Sequence, residues 1–435
     1  MNLIEGKRLD GPGPGTGALM NIKLRLILMN FMQFFIWGSW LITIGVYWFQ
    51  NKHWSGSQFG AIFSTMGIAA IFMPAITGII ADRFINAEKM YGAMHILGSL
   101  VLFSLPLVKD PSTFFWVMLL NMLFYMPTLS LSITVAYSAL KSKNIDIVKE
   151  YPPIRFYGTI GFIFALWTIS LTHNETTSNQ FYIASAVAMA LGLYAFTLPK
   201  CPPLYKKTSN QSLVNVLGLD AFVLFKTPKF AVFFSFSLLL GAALQLTNAY
   251  GDTFIHDFQN VAEYKGLIAV RYPAVIMSIS QISETLFILA IPFFLGKFGI
   301  KNVMLFSMFA WVLRFGLFAF GDPAGGLWMI ILSCIVYGIA FDFFNISGSL
   351  FVETQISPEI RGSAQGLFMM MVNGFGAIFG SLASGAIIDK FFTLANHGKN
   401  WQGIWLSFAG YALVIAIIFP FIFKYKHNAA LSHAV

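Results

Sequence analysis

Apolar residues run along this chain in long stretches that are hydrophobic on every side, rather than in the alternating or one-faced patterns of soluble strands and helices. Twelve stretches can be marked out, at residues 24–50, 57–81, 90–108, 112–140, 146–172, 180–199, 230–256, 266–295, 301–320, 326–353, 359–388 and 401–423. Each is close to or above the roughly 20 residues that an α-helix needs to cross a hydrocarbon core. Their continuity excludes a membrane barrel, whose strands of about ten residues would alternate in polarity. The fifth and eighth stretches carry the most polar residues.

Composition agrees with this pattern. Of 435 residues, 57% are hydrophobic, 17% aromatic and only 10% charged, with a mean hydropathy of +0.72, against roughly 25% charged in an ordinary soluble domain. The chain therefore reads as an all-α membrane protein. An even number of crossings puts both termini on one side, and the basic residues say which. Of the 27 Lys and Arg, six (Lys52, Lys109, Lys265, Arg271, Lys390, Lys399) fall in one set of loops or at the span ends beside them, and two, Arg155 and Arg314, fall deep inside spans. The other 19 fall in the opposite set and at the termini, which the positive-inside rule assigns to the cytoplasm. The net charge of +9 is thus mostly a topology signal. No soluble face gathers it for nucleic acid.

Cys201, at the inner face, and Cys334, within a span, are not expected to make a disulfide framework. His53, His95, His173, His256, His397, His427 and His433 are scattered without ligand spacing, which argues against a membrane metalloenzyme. The chain is therefore expected not to be an enzyme and to hold no cofactor. No cleavable signal peptide precedes the first span. Residues 1–19, rich in Gly and Pro, read as a disordered leader, and Met20-Asn21-Ile22-Lys23 would itself make a natural start.

The longest interruption, residues 200–229, contains Pro202, Pro203, Lys206, Lys207 and Pro228 around SLVNVLGLDAFVLFK, read as a cytoplasmic linker with an interfacial helix. It divides the crossings six and six, into bundles at 20–199 and 230–424, followed by a cytoplasmic tail at 425–435. Two bundles of six suggest alternating access around a central site. The loops GIIADRF, with Gly78, Asp82 and Arg83, and PFFLGKFGIKN, with Gly296, Lys297 and Gly299, occupy corresponding places in the two halves. Asp82 and Arg83 read as structural charges.

Charges inside the spans are costly, at least roughly 2.5 to 3.5 kcal/mol each near the bilayer centre, so they mark cavities or partners. Four qualify: Arg155, Glu284, Arg314 and Asp342. In SISQISETLF, Gln281 lies three residues before Glu284 and so shares its face. An acid that can be charged beside a partner and neutral without one can carry a proton. In YGIAFDFFNISG, Tyr337, Phe341 and Asn345 share a face next to Asp342, which suits a flat, partly polar solute. In LQLTNAYGD, Gln245, Asn248 and Asp252 recur at three and four, and amides that both donate and accept match a heterocycle or sugar hydroxyls. Helix packing and interhelical hydrogen bonding are the plain alternatives for each. Arg314 has no acid at three or four and is expected to be a structural counter-ion to Glu284 or Asp342. Gln33, Trp37 and Trp40 could line the first-half side of a cavity.

KEYPPIRFYGTIGF places Arg155, Thr159 and Phe162 on one face after a Pro152-Pro153 pair. If the helix starts at Pro152, Arg155 is an anchor near the surface; if it starts near Asp146 and kinks, Arg155 reaches the cavity. Spacing leaves both open.

The stretches MNFMQFFIWGSW, FMPAITGIIADR, FYMPTL, YPPIRFYGTIGF, LGLDAF, SISQISETLFI, KNVM, VYGIAFDFFNISGS and SAQG closely resemble the bacterial nucleoside:proton symporter family of the major facilitator superfamily, over about residues 20–426. The resemblance implies a twelve-helix fold of two pseudo-symmetric bundles in the inner membrane. It implies proton-coupled import of nucleosides such as uridine, adenosine, cytidine and inosine, with membrane lipids around a functional monomer and no nucleic-acid partner. A preference for xanthosine or another polar solute, and a sensor that binds without transporting, are the alternatives. By position it implies a nucleoside site at Arg155, Thr159, Phe162, Gln245, Asn248, Gln281, Glu284, Tyr337 and Phe341, with Asp342 and Glu284 as candidates for proton coupling. It favours the cavity for Arg155 and leaves residues 1–19 outside the family pattern.

Overall fold

The computed structural model describes residues 16–203, 219–358, 360–395 and 398–425. Most of the expected leader, the core of the linker with Lys206 and Lys207, and nearly all of the expected tail lie outside the described residues, as does the side chain of Asp82. The first helix, Thr16–Gly38, begins inside the segment expected to be disordered, where Ala18 and Leu19 are good helix formers. Of the expected interfacial helix, the described part is a short 3-10 helix, Leu219–Lys226.

Among the described residues, nine helices are long and apolar enough to cross a membrane. One of them, Pro273–Phe320, makes two crossings. Gly299 interrupts it with φ 73° and ψ 166°, a conformation that glycine adopts without a steric penalty. The rings of Phe294 and Phe306 lie 6.4 Å apart, whereas a straight helix would separate residues twelve apart by about 18 Å. The chain therefore folds back on itself at Gly299. Thr16–Gly38 and Asn179–Ala195 complete twelve crossings.

Helix ends carry the expected chemistry. Ser55 opens the second helix, Gly56–Arg83, with a capping box to Gln58. Asp110 caps the fourth, Pro111–Lys141, and Asn400 the twelfth, Trp401–Ile422. The eighth crossing does not start as one helix. It enters as Ile268–Arg271 and Pro273–Met277 before Ile279, broken at Tyr272 (φ −135°, ψ 61°), because the residue before a proline avoids helical ψ.

Helix pairing repeats between the halves. The first packs on the fifth, the second on the fourth and the third on the sixth; the seventh packs on the eleventh, the eighth on the tenth and the ninth on the twelfth. This repetition makes two pseudo-symmetric six-helix bundles. The halves meet along the second and eleventh crossings, with the fifth touching the start of the eighth. Their contacts run from Gly56 and Asp389 at one end to Ile71 and Gly374 at mid-depth. Gly60 and Gly67 let the backbones approach here: a Cβ at Gly67 would lie 2.5 Å from the Gly374 carbonyl oxygen. We call the Gly56–Asp389 end the sealed end.

Candidate functional site

The fifth helix is Ile147–Leu171 and runs through Pro152 and Pro153 without stopping. Arg155 is thus two turns inside it. Its guanidinium stacks on the Phe34 ring of the first helix, 4.0 Å from the centroid, and interacts electrostatically with Glu284 of the other half. Of the two starts that spacing allows, the structure shows the earlier one, with Arg155 half-buried well inside the helix. Thr159 is half-buried on the same helix, and Phe162 is buried in the apolar core at the crossing with the first helix.

Glu284 is also the electrostatic neighbour of Tyr337 and Asp342. Four ionisable side chains from the fifth, eighth and tenth crossings therefore gather between the halves. Tyr337 and Phe341 stack in parallel, 5.7 Å apart and 5° from coplanar, and Trp311 closes on Tyr337 edge-on at 6.0 Å. Asn345 bonds the Phe341 carbonyl oxygen (3.2 Å), so its donor is partly used within its own helix. The buried Asp342 leaves Oδ2 without a hydrogen-bond partner, and the buried Gln245 leaves Oε1 so. An unmet buried polar atom costs about 1 to 3 kcal/mol, which marks these as atoms that a solute or proton can complete. Gln281 and Asn248 are half-buried on the same helix faces as Glu284 and Gln245.

Arg314 differs from expectation. It is fully buried, yet among the described residues no carboxylate pairs with it. It donates to the Ser333 carbonyl oxygen (2.5 Å), Thr247 Oγ1 (3.3 Å) and Ser280 Oγ (3.3 Å), and lies over the rings of Tyr337 (4.7 Å) and Phe318 (5.1 Å). A delocalised guanidinium can be held by several weak acceptors and ring faces where an ammonium could not. Gln33 is also spoken for. Its amide oxygen takes Tyr91 OH (2.7 Å) and contacts His95 Nε2 (2.8 Å), and its Nε2 donates to Thr128 Oγ1 (2.8 Å). It knits the first helix to the third and fourth rather than facing a solute, and Trp40 is buried as well. Arg83 ends the second helix, half-buried.

Two features have no counterpart in the sequence reading. Phe34 is the platform under Arg155, hidden in an apolar run where any ring looks alike. Glu175, in the loop between the fifth and sixth helices, is buried at 5% exposure although its sequence context, THNETTSN, looks solvated. A cavity of about 290 Å³ at the sealed end is lined by Glu175 and lies apart from the Arg155 cluster.

The profile of the family described as Nucleoside H+ symporter matches residues 20–428. The chain is 53% identical over 410 residues to the xanthosine permease of Escherichia coli (strain K12), covering 94% of this chain and 97% of that one. It is 51% identical over 409 residues to the nucleoside permease NupG of the same strain, again with 94% and 97% covered. A crystal structure of the nucleoside transporter NupG superposes with a TM-score of 0.88 at 50% identity, over 94% of this chain and 100% of that chain. Peptide transporters of the POT family share the fold alone, for example PepTSo at 13% identity and a TM-score of 0.69. The twelve-helix architecture, the repeated pairing of the halves and these matches together place the chain in the nucleoside H+ symporter family of the major facilitator superfamily, as a multi-pass inner-membrane transporter and not an enzyme.

Proposed function

We propose that this protein imports nucleosides together with protons by alternating access, its halves at 20–199 and 230–424 moving against each other around the Arg155–Glu284 cluster. The observation that carries the reading is that cluster: a basic and an acidic side chain from opposite halves, beside Asp342 and a stacked aromatic pair. In this reading Tyr337 and Phe341 take the base ring, with Phe162 behind, while Arg155, Thr159, Gln245, Asn248, Gln281 and Glu284 hydrogen-bond base edges and ribose. Asp342 and Glu284 exchange the proton. Neutralising them removes the cost of closing the halves over an unpaired charge. With one proton per neutral solute, each 100 mV of membrane potential supplies about 2.3 kcal/mol, or roughly fiftyfold accumulation.

The excess of basic residues in one set of loops supports cytoplasmic termini. That topology puts the sealed end at the outer face, and the conformation is then inward-facing. Uridine, adenosine, cytidine and inosine are the proposed substrates of a monomeric carrier. The slightly higher identity to the xanthosine permease favours a second reading, a carrier selective for xanthosine. Competition for radiolabelled uridine uptake by a panel of nucleosides, xanthosine, free bases and ribose, with and without a protonophore, separates the two. Uptake that a protonophore leaves unchanged would overturn the symport reading, and uptake of labelled xanthosine with none of labelled uridine would establish the second.

A further inference from the structure

The sealed end holds two buried acids that face each other across the seam between the halves. Glu175 comes from the loop between the fifth and sixth helices and is 5% exposed; Asp252 comes from the seventh and is fully buried. They interact electrostatically. Glu175 Oε1 receives the backbone N–H of Ala274, in the broken entry to the eighth crossing, at 3.4 Å. Thus the loop of one half docks on backbone of the other through this carboxyl. Among the described residues, Asp252 has no hydrogen-bond partner on either oxygen. Two like charges enclosed together, one of them without a single donor, is an arrangement that a bound proton relieves.

The Ser170 hydroxyl also lies at the Glu175 carboxyl, but no charged group among the described residues offsets the pair. The 290 Å³ cavity against Glu175 is lined also by His173, His256, Lys265 and Arg271. None of these comes within ion-pairing distance of either acid among the described residues. His173 stacks on Tyr272 (5.5 Å), Arg271 lies over the same ring (5.4 Å), and His256 contacts Gln259 (2.8 Å). Asp257, one turn beyond Asp252, is engaged by Gln50 (2.9 Å) and Trp401 (2.8 Å). From the sixth helix, Gln180 donates to the Glu175 carbonyl oxygen (2.9 Å) and accepts Thr43 OH (3.0 Å), fixing the loop without touching its carboxyl.

We propose that Glu175 and Asp252 form a second proton-binding site, shared between the halves at the sealed end and apart from the Arg155 cluster, which must be occupied for this end to close. The cavity gives protons and water a route to it from the surface. When the halves part, both carboxyls meet water and ionise; when they close, a proton is taken up from that side. Burial pushes the Glu175 carboxyl up to about 7 from an ordinary 4.5. The sign follows. Because the closed form holds the proton more tightly than the open form, closure is most favoured below about pH 4.5. It weakens as pH rises towards about 7 and changes no further above it.

The inference stands on the seam itself and not on the identity of the solute. It is tested on the full chain in nanodiscs, with spin labels on Lys109→Cys and Ala324→Cys reporting the separation of the halves at this end. Between pH 5 and pH 8 the unaltered site is expected to show an open fraction that rises up to about pH 7 and then levels off. Glu175→Gln and Asp252→Asn, which keep shape and remove the charge, are expected to stay closed across that range and to lose at least threefold of the pH response. Uridine binding at pH 6, measured by calorimetry, reports that each variant is folded. Variants that bind uridine and still open with pH as the parent does would overturn the proposal, and so would a parent whose separation ignores pH.

Discussion

Asp389, at the end of the eleventh crossing, reaches across the seam to Ser57, accepting both its backbone N–H (2.6 Å) and its hydroxyl (2.5 Å). Its other oxygen takes the N–H of Gly56 at 2.7 Å. A carboxylate of one half thus satisfies the free N–H groups at the start of a helix in the other, where the helix dipole favours negative charge. The latch exists only while this end is closed.

Asp389→Ala is therefore expected to shift the halves towards opening at this end. A charge-assisted bond contributes roughly 1.5 to 3 kcal/mol, so the ratio of closed to open molecules should fall at least tenfold in the spin-label measurement. Ser57→Ala removes only the hydroxyl and keeps both N–H donors. Its effect should be several times smaller, and equal effects would show that the backbone bonds do not hold the seam.

Gly67 tests close approach. A Cβ there meets the Gly374 carbonyl oxygen, whereas one at Gly78 on the same helix meets nothing within 4 Å. Gly67→Val is expected to abolish uptake at normal membrane abundance by holding the halves apart. Gly78→Ala should transport as the parent does. Loss of both activities together would point to helix propensity instead of the seam.

Arg314 holds the seventh, eighth, ninth and tenth crossings through Thr247, Ser280 and Ser333. Arg314→Lys keeps the charge but cannot reach three acceptors in a plane or stack on Tyr337. We expect a destabilisation of about 2 kcal/mol, seen as a clear fall in the apparent melting temperature in detergent. An unchanged melting temperature would make the charge alone sufficient.

Glu284 and Asp342 act as one unit if they share a proton. Glu284→Gln should abolish proton-driven accumulation while leaving exchange of labelled for unlabelled nucleoside measurable. Asp342→Asn added to it should cost little more, since groups acting together are not additive. Full accumulation in Glu284→Gln would pass the coupling role to Asp342.

Much of the fold was legible in the chain because hydrocarbon is an unforgiving solvent. Every crossing must satisfy its backbone internally and present apolar side chains, so run lengths betray the twelve helices. The six-and-six division, the mid-membrane charges and the paired face of Gln281 and Glu284 follow from spacing alone. Helical periodicity also drew Asp252 onto the face of Gln245 and Asn248, but could not say that its end of the face belongs to the seam and not to the cluster.

Tertiary structure decided what each polar group meets. Spacing separated the eighth and ninth crossings at a glycine-bearing loop, but only the structure shows that the turn between them rests on the φ of a single residue, Gly299. Whether Arg155 sits at the surface or over Phe34 depended on a helix running through two prolines, which local rules leave open. Arg314 found hydroxyls, a carbonyl and rings rather than the expected acid, because its neighbours are set by which helices pack together. Glu175 looked like a solvated loop residue and is enclosed by the other half. A sequence determines which groups are too costly to leave in lipid; only packing between distant segments determines what pairs with them.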